Sequence, residues 1–235
     1  MPVVEPYRKE AGEMRPYIND LLCSLKGSWV GKIVACVLYP LMYWPLFVGQ
    51  YVNALICERL VNAWPRIGGV GLYKTAAELT RELVANGRFT TVVLGGNEAE
   101  QKQFLAEYRP EWLTSLDVSD GTYPQVRGVV DYAEQYGLPA ICIITHESLL
   151  TRAALTVVKQ LKEREMRLPV YCEAYLDLSR LELKWYEVTL ASANEALSLL
   201  RYQRRGHVAT HRETLEYLRD VSWEERPGGV LFVIV

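Results

Sequence analysis

Apolar positions along the chain change their period several times, and each change marks an element. After Leu72 the spacing of Ala76, Leu79 and Leu83 predicts a helix over 73–86, with Gly87 as its stop. Phe89-Thr90-Thr91-Val92-Val93-Leu94 is short, apolar and β-branched, which predicts a buried strand ended by Gly95-Gly96. The same logic predicts helices over 98–108, 124–136 and 149–164, interleaved with strands at 113–118, 140–145 and 168–172. Strands alternating with helices of this length imply a Rossmann-like α/β fold, a parallel sheet flanked by helices and joined by right-handed crossovers. Ala140-Ile141-Cys142-Ile143-Ile144-Thr145 is the most convincing central strand. A C-terminal helical extension follows. One long helix runs over 178–205 and stops at Gly206, and the capping box Thr210-His211-Arg212-Glu213 opens a short helix to about Arg219. Pro227-Gly228-Gly229 then turns the chain into Val230–Val235. That run is too apolar for a free tail, so it is expected to add to a sheet or dock on a partner.

The N-terminal region has another pattern. Ile33 to Cys57 is a stretch of 25 residues without a charge, bounded by Lys32 and Glu58. As a helix rising about 1.5 Å per residue it would reach roughly 37 Å, against a hydrocarbon core of roughly 30 Å. Trp29 and Trp64 lie just outside it, where aromatic rings favour the headgroup level. Pro40 and Pro45 would kink the helix, and Gln50 and Asn53 would prefer a partner helix to lipid. A kinked transmembrane helix is therefore expected over 33–60. The alternative is a buried hairpin of two short helices, 33–39 and 46–60. The run starts too far from Met1 for a secretory signal peptide. The slight excess of Lys and Arg before it favours a matrix-side or cytoplasmic N-terminus. Residues 14–25 read as a short amphipathic helix with Tyr17, Leu21 and Leu22 on one face. The expected organisation is thus an N-terminal segment 1–32, an anchor 33–60, an α/β domain 71–176 and an extension 177–235.

Composition narrows the function. Half the residues are apolar and 23% are charged, which excludes a disordered chain. The 26 basic and 28 acidic side chains leave a net charge of −2, so no general nucleic-acid binding is expected. Cys23, Cys36, Cys57, Cys142 and Cys172 are scattered without a CxxC, which gives neither a disulfide framework nor a zinc cluster.

Candidate chemistry sits at strand ends. Gly95-Gly96-Asn97 marks a strand-to-helix passage whose free N–H groups could hold a phosphate or carboxylate, although the same residues serve a plain turn. Asp117, Ser119, Asp120 and Thr122 cluster after the next strand, where acid/base chemistry and helix capping are both readable. His146, at the end of the expected central strand, and Arg152, a turn into the next helix, form the best catalytic candidate with Asp117. His207 and His211 have the i, i+4 spacing of metal ligands but lack a third ligand, so neither a metal nor another cofactor is expected. No GxSxG, GxGxxG or GxxxxGK[ST] occurs.

Over about residues 71–175 these features resemble the SanA/YdcF/ElyC-like domain family. The counterparts of its motifs are Asn86-Gly87, Leu94-Gly95-Gly96, Glu98 or Glu100, Asp117, Gly121-Thr122-Tyr123-Pro124-Gln125, Ile144-Thr145-His146 and Leu149-Leu150-Thr151-Arg152-Ala153. Gly95, Gly96, Thr122, Tyr123, Thr145, Arg152 and Ala153 match residue by residue. The family's Asn-Thr-Tyr-Glu-Asn box has lost both Asn and its Glu, its His falls on Leu149, and its first strand is not recognisable over 60–72. The resemblance implies an α/β fold, an N-terminal membrane segment and an eroded site. Two functions follow as expectations. One is a membrane-anchored, non-catalytic accessory subunit of a larger complex, such as a mitochondrial respiratory-chain or ATP-synthase subunit, meeting its partners through 33–60 and the 230–235 tail. The other is a SanA-like protein of a bacterial inner membrane, acting on an anionic small molecule through Gly95, Gly96, Asn97, Asp117, Thr122 and Arg152.

Overall fold

A computed structural model describes residues 28–41, 60–61, 64, 75–87, 89, 91–116, 121–175, 185–223 and 229–234. The expected amphipathic helix at 14–25, most of the uncharged run and Asp117 lie outside the described residues.

The sheet has five strands: β1 (Thr91–Gly95), β2 (Leu113–Ser115), β3 (Ile141–His146), β4 (Val170–Tyr175) and β5 (Val230–Ile234). All neighbours pair parallel, in the order β2-β1-β5-β3-β4. The helices are α1 (Trp29–Leu41), α2 (Ala76–Ala85), α3 (Glu98–Glu107), α4 (Thr122–Gln135), α5 (Glu147–Glu163), α6 (Trp185–Arg204) and α7 (His211–Asp220). This is the expected α/β architecture. α2, α4 and α6 stop at Gly87, Gly137 and Gly206, and the Thr210 capping box opens α7. Several boundaries differ from the sequence expectation, β4 among them, which runs from Val170 to Tyr175. β2 is three residues long, α4 starts two residues before Pro124, and α5 starts at Glu147.

Strand alternation sorts the core into two layers. Val93, Ile141, Ile143, Val170, Cys172, Val230 and Phe232 face α4, α5 and α7. Val92, Leu94, Cys142, Ile144, Tyr171 and Val233 face α2 and Phe104 of α3. Burial on both faces explains why the strands read as continuous apolar runs.

The terminal run was open between its own sheet and a partner, and it takes the sheet. β5 inserts between β1 and β3, with Val92 level with Leu231 and Ile143 level with Phe232. Its backbone bonds and the buried Val230, Phe232 and Val233 are spent inside the fold. A partner contact through the 230–235 tail therefore has no exposed strand at 230–234 to use. The segment 177–235 is more than an extension, because it supplies the middle strand of the sheet.

The anchor expectation meets two findings. α1 covers 13 residues, about 20 Å at 1.5 Å per residue, and among the described residues no helix is long and apolar enough to cross a membrane. α1 packs along α6, while Trp29, Val30, Ile33 and Val37 stay exposed. Trp64, expected at a headgroup level, is buried at 4% exposure with Val61 in the α4–α5 layer, its ring 5.9 Å from Tyr217. Both flanks of the uncharged run are thus held against the α/β body.

Candidate functional site

β1 and β3 both end at the carboxyl edge of the sheet, where ligands bind in open α/β folds. The chain leaves β1 toward β2 on one side and β3 toward β4 on the other, and β5 fills the space between. Gly96 and His146 are therefore roughly 10 Å apart across β5, at about 4.8 Å per strand.

The Gly95-Gly96 turn has a packing explanation. A Cβ on Gly95 would lie 3.0 Å from Cε2 of Phe232, so any larger residue would require that ring in the central strand to shift by a few tenths of an ångström. Gly96 adopts φ +105°, a conformation side chains disfavour. Asn97 caps α3. Its side chain accepts from the Glu100 N–H at 3.0 Å, and its own N–H donates to the Glu100 carboxylate at 2.8 Å. Gln101 Nε2 donates to the carbonyls of Gly96 and Leu116. Glu98 and Glu100 in the first turn already supply the negative charge that a helix start favours. Of the groups expected to hold an anion here, the Asn97 N–H is taken by the internal capping box.

Arg152 is the most constrained of the candidates. Its Nε donates to Glu195 Oε1 at 2.7 Å and its Nη2 to Oε2 at 3.1 Å, a two-pronged bond between α5 and α6. Its Nη1 donates to Thr122 Oγ1 at 3.0 Å, which ties in the start of α4. Its guanidinium carbon lies 5.2 Å from the centre of the Tyr202 ring. The side chains of Arg152 and Glu195 are 14% and 20% exposed. Burial pulls the Arg152 pKa down, but the Glu195 carboxylate and the Tyr202 hydroxyl outweigh it and hold the guanidinium charged. Beside this pair, His207 stacks on Tyr123 at 3.9 Å and meets Tyr202 edge-on at 5.6 Å. Gln160 donates to the Tyr123 hydroxyl at 3.1 Å. Burial, and then the Arg205 charge, lower the pKa of His207 and favour its neutral ring.

His146 lies elsewhere. It alternates with Cys142 and Ile144 onto the α2 side of the sheet, buried and edge-on to Tyr175 at 5.6 Å. Arg152 and Thr122 belong to the α4–α5 side. The structure brings Arg152 to Thr122 but places His146 on the opposite face, and Asp117 is outside the described residues. Residues near His207 and His211 add no third ligand, and among the described residues no group of three or more His, Cys, Asp or Glu side chains is placed to hold a metal ion.

Glu195 and Tyr202 do not stand out in the sequence as partners of Arg152. One signal was present: Glu195 falls four residues before Leu199, on the apolar stripe of the long helix. A carboxylate on a buried stripe needs a cation.

Fold and site together define a three-layer α/β protein with a parallel five-stranded sheet flanked by helices on both faces. Compared with known proteins, the chain matches no family model, no curated protein and no solved structure at a significant level.

Proposed function

We propose that the chain is a non-catalytic, membrane-associated accessory subunit whose α/β body positions partners, with the mitochondrial inner membrane as one host. The observation that carries this reading is the Arg152–Glu195 pair. The cation best placed to hold a substrate anion is already neutralised by a two-pronged internal carboxylate. The internal capping at Asn97 and the position of His146 on the other face support it. The uncharged run at 33–57 supports the membrane part, as do the exposed Trp29, Ile33 and Val37 of α1.

The test is extraction of the native protein in mild detergent followed by sizing. A stable assembly much larger than 26.8 kDa is expected. A lone chain in the aqueous fraction would overturn the proposal.

A second reading, the SanA-like one, is favoured by a specific observation. Arg152 and Thr122 meet at the start of α4, whose cap residue Gly121 supplies no side-chain bond and whose first turn has no acidic residue. In that reading this corner binds an anionic group.

A further inference from the structure

We propose that Glu195 is a latch: an internal carboxylate that occupies a phosphate-binding corner formed by Arg152, Thr122 and the start of α4, and that an outside phosphate group displaces. The inference rests on the second reading above and adds its regulation. Four observations converge on it. The guanidinium presents its full Nε–Nη2 fork to the two Glu195 oxygens, the arrangement with which arginine also takes phosphate. Its third prong is held by Thr122 at 3.0 Å, so the fork is already oriented without Glu195. α2, α3 and α7 each begin with a side-chain cap and carry a Glu in the first turn, whereas among the described residues α4 has neither. Finally, Thr145 stands near the carboxyl end of β3 on the face shared with Ile141 and Ile143, the face covered by α4 and α5. Its Oγ1 is fully buried and without a hydrogen-bond partner among the described residues. A buried hydroxyl without a partner among the described residues calls for an explanation, and a bound group on this face of the sheet supplies one.

A partly buried ion pair is by itself weak evidence of a stabilising role, which leaves this one available for switching. The consequence of release follows from the packing. Glu195 lies on α6 and α1 packs on α6, so phosphate at Arg152 loosens the helix that carries the N-terminal apolar segment.

The test uses the full chain, inorganic phosphate and chloride at matched ionic strength. Glu195→Gln keeps the shape of the latch and removes its charge. This variant should bind phosphate about tenfold or more tighter than wild type and recover its melting temperature as phosphate is added. Glu195→Gln combined with Arg152→Gln should lose both effects. In the wild type, saturating phosphate should speed hydrogen exchange in α6 around 195–204. If Glu195→Gln does not fold, Glu195→Asp, which draws the carboxylate back by one methylene, should give an intermediate affinity.

The failures separate. Arg152-dependent binding that is equally tight in wild type and variant, with α6 protected, would overturn the latch and leave the anion reading standing. No phosphate response in any chain would overturn both. A response that survives in the double variant would place binding elsewhere and overturn the latch.

Discussion

Gly229→Ala tests the placement of β5, on which the whole architecture turns. Gly229 has no positive φ, so its need for glycine is one of space. A Cβ there would lie 2.2 Å from the Ala140 carbonyl oxygen, 2.7 Å from its carbon and 2.9 Å from its Cβ. Ordinary contact begins near 3.4 Å, so the two backbones must part by about 1.2 Å. The next residue, Val230, donates its N–H to the same carbonyl at 3.0 Å, and that bond cannot survive such a shift. Losing a buried backbone bond costs about 1–3 kcal/mol, and displacing Val230 and Phe232 from a packed core adds about 1–3 kcal/mol. A destabilisation of roughly 2–6 kcal/mol is expected. The assay is urea unfolding followed by circular dichroism, with Gly137→Ala as the control. Gly137 has φ +59° with nothing within 4 Å of a Cβ, so that change should cost only about 1–2 kcal/mol of backbone strain. If the two variants unfold at the same urea concentration, β5 does not enter the sheet beside Ala140 and the strand order is wrong.

Other outcomes follow from the same contacts. Tyr217 donates to the Leu168 carbonyl at 3.0 Å and accepts from the Val170 N–H at 2.8 Å, so Tyr217→Phe orphans two groups at the start of β4. It should cost about 2 kcal/mol or more in urea unfolding, and a loss under about 0.5 kcal/mol would show that α7 does not clamp this strand. The Lys162 and Arg212 partners of Glu216 push its carboxyl from 4.5 down to about 2. A lowered native pKa stabilises the fold above the ordinary value and loses that effect as pH falls, so the stability gap between wild type and Glu216→Gln should close between about pH 4.5 and 2. A gap that widens on acidification would have the wrong sign. His146→Ala should leave any measured function intact, because His146 is separated from Arg152 by the sheet. Selective loss of an activity with the fold unchanged would make His146 catalytic. Val48→Arg puts a charge in the uncharged run, at roughly 2.5–3.5 kcal/mol on insertion scales, and should move the protein out of the membrane fraction. Unchanged partitioning would favour the buried hairpin.

Much of the fold was legible locally. Helix stops at Gly87, Gly137 and Gly206, the Thr210 cap and the apolar runs of β1, β3 and β4 are all decided by neighbouring residues, and each appears where the pattern puts it. The strand order was not legible. Nothing within Val230–Ile234 says that it enters between β1 and β3. That choice depends on Gly229 passing Ala140 and on Gly95 leaving space for Phe232, contacts between residues far apart in the chain. The candidate site was half legible for the same reason. Thr122 and Arg152 could be singled out from strand ends and the family resemblance. The partner that neutralises Arg152 sits 43 residues further along, and only the packing of α6 brings it in. His146 was misleading because proximity to Arg152 in sequence hides a crossing from one face of the sheet to the other.

The central claim, a non-catalytic accessory subunit held in a membrane assembly, is tested most directly by the size of the native particle. Membranes are extracted in mild detergent and the protein is followed by size-exclusion chromatography with light scattering. The account predicts co-elution with other chains at a mass several times 26.8 kDa, unchanged in His146→Ala. A 26.8 kDa chain recovered alone without detergent, turning over an anionic substrate, would contradict it.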